Sequence, residues 1–138
     1  MRTALYVAGL GCRRGCSWEQ LLQLLQQALQ QQSLQLSDLS SLASSVHKQD
    51  EPGLRQLAEY LQLPLALLPA TALAGYHARL SQPSALSLRI TGSAGVAEAS
   101  SLAQAEALSG NRAELLGGKI RSAHATCALA VVTFLETV

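Results

Sequence analysis

The chain has 138 residues, 49% hydrophobic and 14% charged, a balance that excludes disorder and supplies a real core. Its formal net charge of +1 gives no general attraction to nucleic acid or to a membrane surface, so any cationic site has to be local. No apolar run reaches membrane-span length, and the expectation is one domain over residues 1–138.

The first element is an apolar run, Ala4 to Ala8, without alternation, as a strand buried on both faces reads. A charge followed by this run imitates a signal peptide, but the run is short and ends in arginines rather than a cleavage site. A cytoplasmic protein is therefore expected. The run leads into Gly9-Leu-Gly11-Cys12-Arg13-Arg14-Gly15, and Ser17 then opens a helix as N-cap, with Gln20 placed for a capping box. Glycines, outward N–H groups, a helix dipole and two guanidinium forks suit a carboxylate or phosphate. The spacing G-x-G-x-x-x-G is one residue longer than the dinucleotide fingerprint, and no Walker lysine follows, which argues against a nucleotide. The same residues also fit a plain tight turn with solvated arginines, and residue chemistry leaves both readings open.

Three cysteines are too few and odd for a disulfide framework. Cys12 and Cys16 miss the C-x-x-C spacing, no second pair completes a metal set, and no metal site or cofactor is expected. Cys127 reads as a small core residue. The arginines and helix start around Cys12 favour a thiolate, but no histidine lies near it in sequence to act as a base.

Trp18, Leu21, Leu22, Leu25, Ala28 and Leu29 form the apolar stripe of an amphipathic helix whose other face is glutamine. Leu34 to Asp38 is its exit loop, and Leu39 to Val46 is a second short strand. His47 to Gly53 then delivers Lys48, Glu51 and Pro52, with Pro52 suited to the first helical position and Glu51 to the positive end of the dipole. Lys48 and Glu51 read either as a surface ion pair or, for Lys48, as a second cation facing the glycine turn. Leu54, Leu57, Ala58 and Leu61 give the stripe of a second helix. Leu63 to Leu68 reads as a third buried strand and Pro69 to Tyr76 as a short helix, followed by an irregular link, His77 to Leu88.

A second glycine-bearing helix start is Ile90-Thr91-Gly92-Ser93-Ala94-Gly95-Val96-Ala97-Glu98. Thr91 or Ser93 is the expected cap, and the helix runs to about Leu108 with alanines for close packing. Glu98 complements the dipole or serves as a base. Ser109 to Asn111 carries C-cap chemistry. Ala113 to Arg121 and Thr126 to Phe134 form a hairpin that places Lys119 and Thr126 where a pocket can use them, although residue chemistry alone favours a solvated Lys119. The predicted fold is a three-layer α/β/α domain with a mostly parallel sheet and a C-terminal antiparallel hairpin, its ligand site at the carboxyl ends of the strands.

Taken together, Gly9 to Gly15, Leu42-Ala-Ser44 with Lys48, Glu51, Gly53 and Leu54, Leu63-Pro64, Thr91-Gly92 with Gly95 to Ala99, and Lys119 with Thr126 and Ala128 resemble the cobalamin-biosynthesis CobE family. That family is similar to the C-terminal domain of CbiG. Ser93 departs from the pattern, which has a bulkier apolar residue there. The chain has no room for the upstream domains of CbiG, so the resemblance implies the stand-alone form.

The resemblance implies a role in corrin synthesis, where CbiG-type proteins are linked with opening a cobalt-precorrin lactone and releasing acetaldehyde. It implies as ligand a precorrin or related tetrapyrrole intermediate, bound by Gly9, Gly11, Cys12, Arg13, Arg14, Gly15, Lys48, Glu51, Thr91, Gly92, Gly95 and Lys119. Other corrin-pathway enzymes are expected partners, nucleic acid and membranes are not. The alternative is a precorrin lactone hydrolase with Glu98 as general base and turn N–H groups holding the oxyanion.

Overall fold

The computed structural model describes residues 2–46, 50–76, 79 and 95–135. In chain order the elements are β1 (Arg2–Cys12), α1 (Trp18–Gln31), a 3-10 turn (Leu36–Asp38), β2 (Leu39–Ser45), α2 (Pro52–Leu61), β3 (Leu65–Leu68) and α3 (Ala70–Ala74). After these come α4 (Val96–Ser109), β4 (Glu114–Leu115), β5 (Ile120–Arg121) and β6 (Ala125–Leu135). The predicted link His77 to Leu88 lies, apart from Arg79, outside the described residues.

The strands form one sheet in the order β3-β2-β1-β6-β4, with β5 also paired to β6. The pairs β1–β2 and β2–β3 are parallel, whereas β6 runs antiparallel to β1, β4 and β5. The α/β class and the antiparallel C-terminal pairing agree with expectation, but the sheet is mixed rather than mostly parallel. Its longest ladder is the antiparallel one, running from Arg2↔Leu135 to Cys12↔Ala125.

Alternation divides the core. Ala8, Leu10 and Cys12 of β1, Leu42 of β2 and Cys127 and Leu129 of β6 pack with α1 and α2 on one face. Val7, Ala43, Ala130 and Val132 pack with Leu102 and Ala105 of α4 on the other. β3 differs from its prediction. All four of its residues are half-buried, because it is the terminal strand of the sheet among the described residues and not a central one.

Gly9 sets how closely α4 approaches the sheet. A Cβ added there would run into the carbonyl oxygen of Ala97 and stand 2.9 Å from the Ser100 hydroxyl. Ala97, Ala99, Ser100, Ser101 and Ala103 are all buried, so the small residues of α4 meet a strand with no side chain at the crossing.

At its other end α4 is clamped through Glu106. Its carboxylate accepts hydrogen bonds from the Tyr76 hydroxyl (2.7 Å), the Arg79 guanidinium (2.9 Å) and the Ala113 N–H (2.8 Å). Burial works to raise the Glu106 carboxyl, but the bonds from Arg79, Ala113 and Tyr76, with the guanidinium charge, outweigh it and leave the group below its ordinary range.

The Gly9 contact is with backbone, which no rotamer change can relieve. Gly9→Ala is therefore expected to cost at least the ~1–3 kcal/mol typical of overpacking, read as a lower urea midpoint at unchanged slope. An unshifted midpoint would show that α4 does not lie on the strand as described.

Candidate functional site

The ladder of β1 ends in a turn that folds back on itself. Arg13 donates its N–H to the His124 carbonyl at 2.8 Å, one step beyond the last strand pair, and Cys16 donates to the Arg13 carbonyl at 3.1 Å. Gly15 closes the turn with φ of +82°, a conformation that only glycine adopts cheaply. Arg13, Arg14 and Gly15 are exposed. Ser17 caps α1 as expected: its hydroxyl accepts the Gln20 N–H at 3.2 Å, and the Gln20 side chain accepts the Ser17 N–H at 3.1 Å.

Two more helix starts meet this turn. Pro52 occupies the first turn of α2, and Gly53 is packed against the Cys16 carbonyl, with Ser17 C and Trp18 N each 3.3 Å from where its Cβ would stand. Beside it, Glu51 reaches back so that its carboxylate accepts the Gly15 N–H at 3.1 Å. The Ala97 contact with Gly9 puts the first turn of α4 above the last third of β1. The positive ends of α1, α2 and α4 thus gather at the carboxyl ends of β1 and β2, next to two exposed arginines.

Sequence-predicted residues fall into three groups. Arg13, Arg14, Gly15, Glu51 and Gly95 lie at this rim, and Gly95 is itself the N-cap of α4. Thr91 or Ser93 as cap is thereby corrected: the helix starts at Val96, too far along for either. Gly9, Gly11 and Cys12 belong to β1, not to the turn. All three are buried, Gly9 serving the contact with α4 and Cys12 the core beneath α1 and α2. Lys48, Thr91 and Gly92 lie outside the described residues, and so does the expected Lys48–Glu51 pair.

Lys119 is half-buried before β5, whose Arg121 pairs with Thr126, itself opposite Gly11. This register places exposed Arg121 level with the end of β1 and two strands away, about 10 Å. In the sequence Arg121 is only the last residue of the expected strand Ala113 to Arg121, and its place level with β1 follows from the observed register.

Glu98 is 1% exposed in the first turn of α4. Ser41 and Ser45 of β2, on the same face as Ala43, and Ser100 and Ser101 of α4 are also buried, and Gln104 of α4 donates to the Ser41 hydroxyl at 3.3 Å, so the layer between these elements is unusually polar. Ser44 donates to the Leu10 carbonyl at 2.6 Å, and Ser101 to the Glu98 carbonyl at 2.8 Å.

Burial works against ionisation of two of the thiols. Burial pushes the Cys16 thiol up, and the Glu51 charge adds to it; burial alone pushes Cys127 up to about 12. A thiolate-favouring loop was expected around Cys12, but that residue is 7% exposed within the ladder. Among the described residues, no three His, Cys, Asp or Glu side chains gather as a metal-ligand set, and no helix is long and apolar enough to cross a membrane. Grooves lined by described residues also lie elsewhere. One of about 500 Å³ runs along α2 and β3, and one of about 390 Å³ lies between Arg79, Glu106 and Arg112.

Residues 6–130 match the family described as cobalamin synthesis G C-terminus. The chain belongs to that family. Within it, the chain is 37% identical over 124 residues to Protein CobE of Sinorhizobium sp., covering 90% of this chain and 78% of that one. A crystal structure of CobE, a protein from the cobalamin (vitamin B12) biosynthetic pathway, superposes with a TM-score of 0.87 at 50% identity, covering 94% of this chain and 91% of the other. A shorter match, 40% identical over 67 residues, is to cobalt-precorrin-5A hydrolase of Salmonella typhimurium, spanning 49% of this chain and only 19% of the hydrolase. The CobE resemblance is thereby established, and this family member serves cobalamin biosynthesis.

If the Cys16 environment is as described, its alkylation rate will inflect at a pH above the ~8.5 of a free cysteine. Glu51→Gln will lower that inflection without restoring the free value, because burial persists. Mass spectrometry of the Cys16 peptide across pH checks this, and an inflection at or below the free-thiol value would contradict it.

Proposed function

We propose that the chain binds a carboxylate-rich precorrin, or a related tetrapyrrole intermediate of cobalamin biosynthesis, at the turn Arg13–Gly15 and the helix starts around it. The observation that carries this is the exposed Arg13–Arg14 pair standing where the positive ends of α1, α2 and α4 converge. Guanidinium forks pair with carboxylates in two-point geometry, and the dipoles add to the attraction. Lys48, Thr91 and Gly92 flank this rim in the sequence, and Lys119 and Arg121 are placed for the outlying carboxylates of a wide ligand. Gly9, Gly11 and Cys12 support it from beneath. On this reading residues 1–138 act as one cytoplasmic domain that holds the intermediate and passes it to other corrin-pathway enzymes, with no cofactor of its own.

A hydrolase is the second reading, favoured by the buried carboxylate of Glu98 in a helix turn beside the rim and by the relative named cobalt-precorrin-5A hydrolase. Glu98 would take a proton from water as its oxygen bonds to the lactone carbonyl carbon. The ring C–O bond then breaks and the departing alkoxide takes the proton.

Titration with uroporphyrin, a porphyrin bearing many carboxylates, followed by its absorption spectrum, tests the binding reading. The wild-type protein should shift the spectrum, and Arg13→Ala with Arg14→Ala should weaken binding at least about tenfold, since charge-assisted bonds are worth ~1.5–3 kcal/mol each. An unchanged affinity in the double variant would remove the turn from the site. Acetaldehyde release from a lactone-bearing cobalt-precorrin, abolished by Glu98→Gln, would instead establish the hydrolase.

A further inference from the structure

Glu51 behaves unlike an ordinary helix cap. It holds the N-cap position of α2, where a carboxylate usually accepts the N–H of the second or third helical residue, yet its side chain makes no such bond. Its Oε2 instead accepts the Gly15 N–H, 36 residues away in sequence. Among the described residues a Cβ at position 15 would meet nothing within 4 Å, so the φ of +82° and not crowding calls for glycine there. The donor at the centre of the turn is already engaged by Glu51.

The bond is also not what holds α2 to the turn. Gly53 does that, seated against the Cys16 carbonyl. The Glu51 backbone stays within the helix through the bond from the Leu54 N–H to its carbonyl, 3.2 Å, so release needs only a side-chain rotation. Half-buried, the carboxylate has solvent to swing into. It also lies close enough to Cys16 for its charge to be felt at that thiol.

We propose that Glu51 is a carboxylate latch: its side chain engages the Gly15 N–H when no ligand is bound, and a ligand carboxylate displaces it. This rests on the reading of the turn as a tetrapyrrole carboxylate site. The latch sets an affinity threshold. A ligand with one carboxylate only exchanges one charge-assisted bond for another and leaves Glu51 as a nearby like charge. A ligand whose further carboxylates reach Arg13 and Arg14 gains more than it displaces. Glu51 thus lowers the affinity of both ligands by a similar factor, and only the polycarboxylate has further contacts that keep it bound.

The test compares uroporphyrin with a porphyrin monocarboxylate on wild type, Glu51→Gln, Glu51→Ala and the double variant Arg13→Ala with Arg14→Ala, at fixed salt. The Gly15 amide and Glu51 carboxyl resonances are followed in parallel. Removing the latch should tighten uroporphyrin and the monocarboxylate by a similar factor, about fivefold, the size of a modest surface charge interaction. In wild type, ligand should move both resonances together. If the arginine variant loses affinity but neither Glu51 variant gains any, and the Glu51 carboxyl resonance stays still, the latch is wrong while the binding site stands. If neither wild type nor Glu51→Ala binds uroporphyrin, the site and the latch fall together.

Discussion

The contact of α4 with β1 at Gly9 is the constraint on which the rest of the structure depends. A helix whose carbonyl sits where a side chain would be is fixed in height and in position along the strand. That position carries the first turn of α4, with Gly95 and Glu98, to the end of β1, where the Arg13–Gly15 turn begins. The antiparallel β6 holds the other side of β1 and, through the bond from the Arg13 N–H to the His124 carbonyl, anchors the first residue of the turn. The cationic turn is thus exposed but not loose. It hangs from a ladder of backbone pairs, and cations presented on such a frame lose less entropy on binding.

Three of the carboxylates on α2 and α4 are held in different ways. Glu51 and Glu98 stand at positive helix ends, where the dipole favours a negative charge. Glu106 lies in the last turn of α4, where it does not, and is surrounded by the donors that compensate: Arg79, Tyr76 and the Ala113 N–H. This divides the molecule by role. At the carboxyl rim of β1 and β2 the two arginines are exposed beside the helix starts. At the far end of α4 the arginine is consumed by a clamp that ties the residue after α3 to the start of β4.

What was legible in the sequence was local. The Ser17–Gln20 capping box, Pro52 at the start of α2 and left-handed Gly110 at the end of α4 each depend on residues within a turn of one another, and each stands as read. The apolar stripes of α1 and α2 were equally plain. Non-local features were not. Leu63 to Leu68 is apolar whether its strand is central or at an edge, so composition did not reveal that β3 has one neighbour among the described residues. Gly9 and Gly11 read as a turn because glycine favours turns, whereas here one accommodates a helix and both lie in a ladder. Gly117, at φ of +67°, and Gly118 split the expected strand Ala113 to Arg121 into β4 and β5. The partner of Glu51 is a backbone N–H in another loop, which no sequence spacing announces.

The family resemblance was specific because its matches are ordered along the chain, and the comparison over residues 6–130 bears it out. It could not separate residues that touch a ligand from those that shape the fold. Gly9 and Cys12 illustrate this, both belonging to the resemblance and both buried beneath helices.

On the proposed function, the carboxyl rim of β1 and β2 is the face that meets a polyacidic tetrapyrrole. The most direct measurement is an amide chemical-shift map of the labelled protein during addition of such a ligand. The account predicts that the largest changes cluster at residues 13–17, at Gly53 and Leu54 and at Val96 to Glu98. Changes concentrated along the α2–β3 groove or around Arg79 and Arg112, with the rim silent, would contradict it.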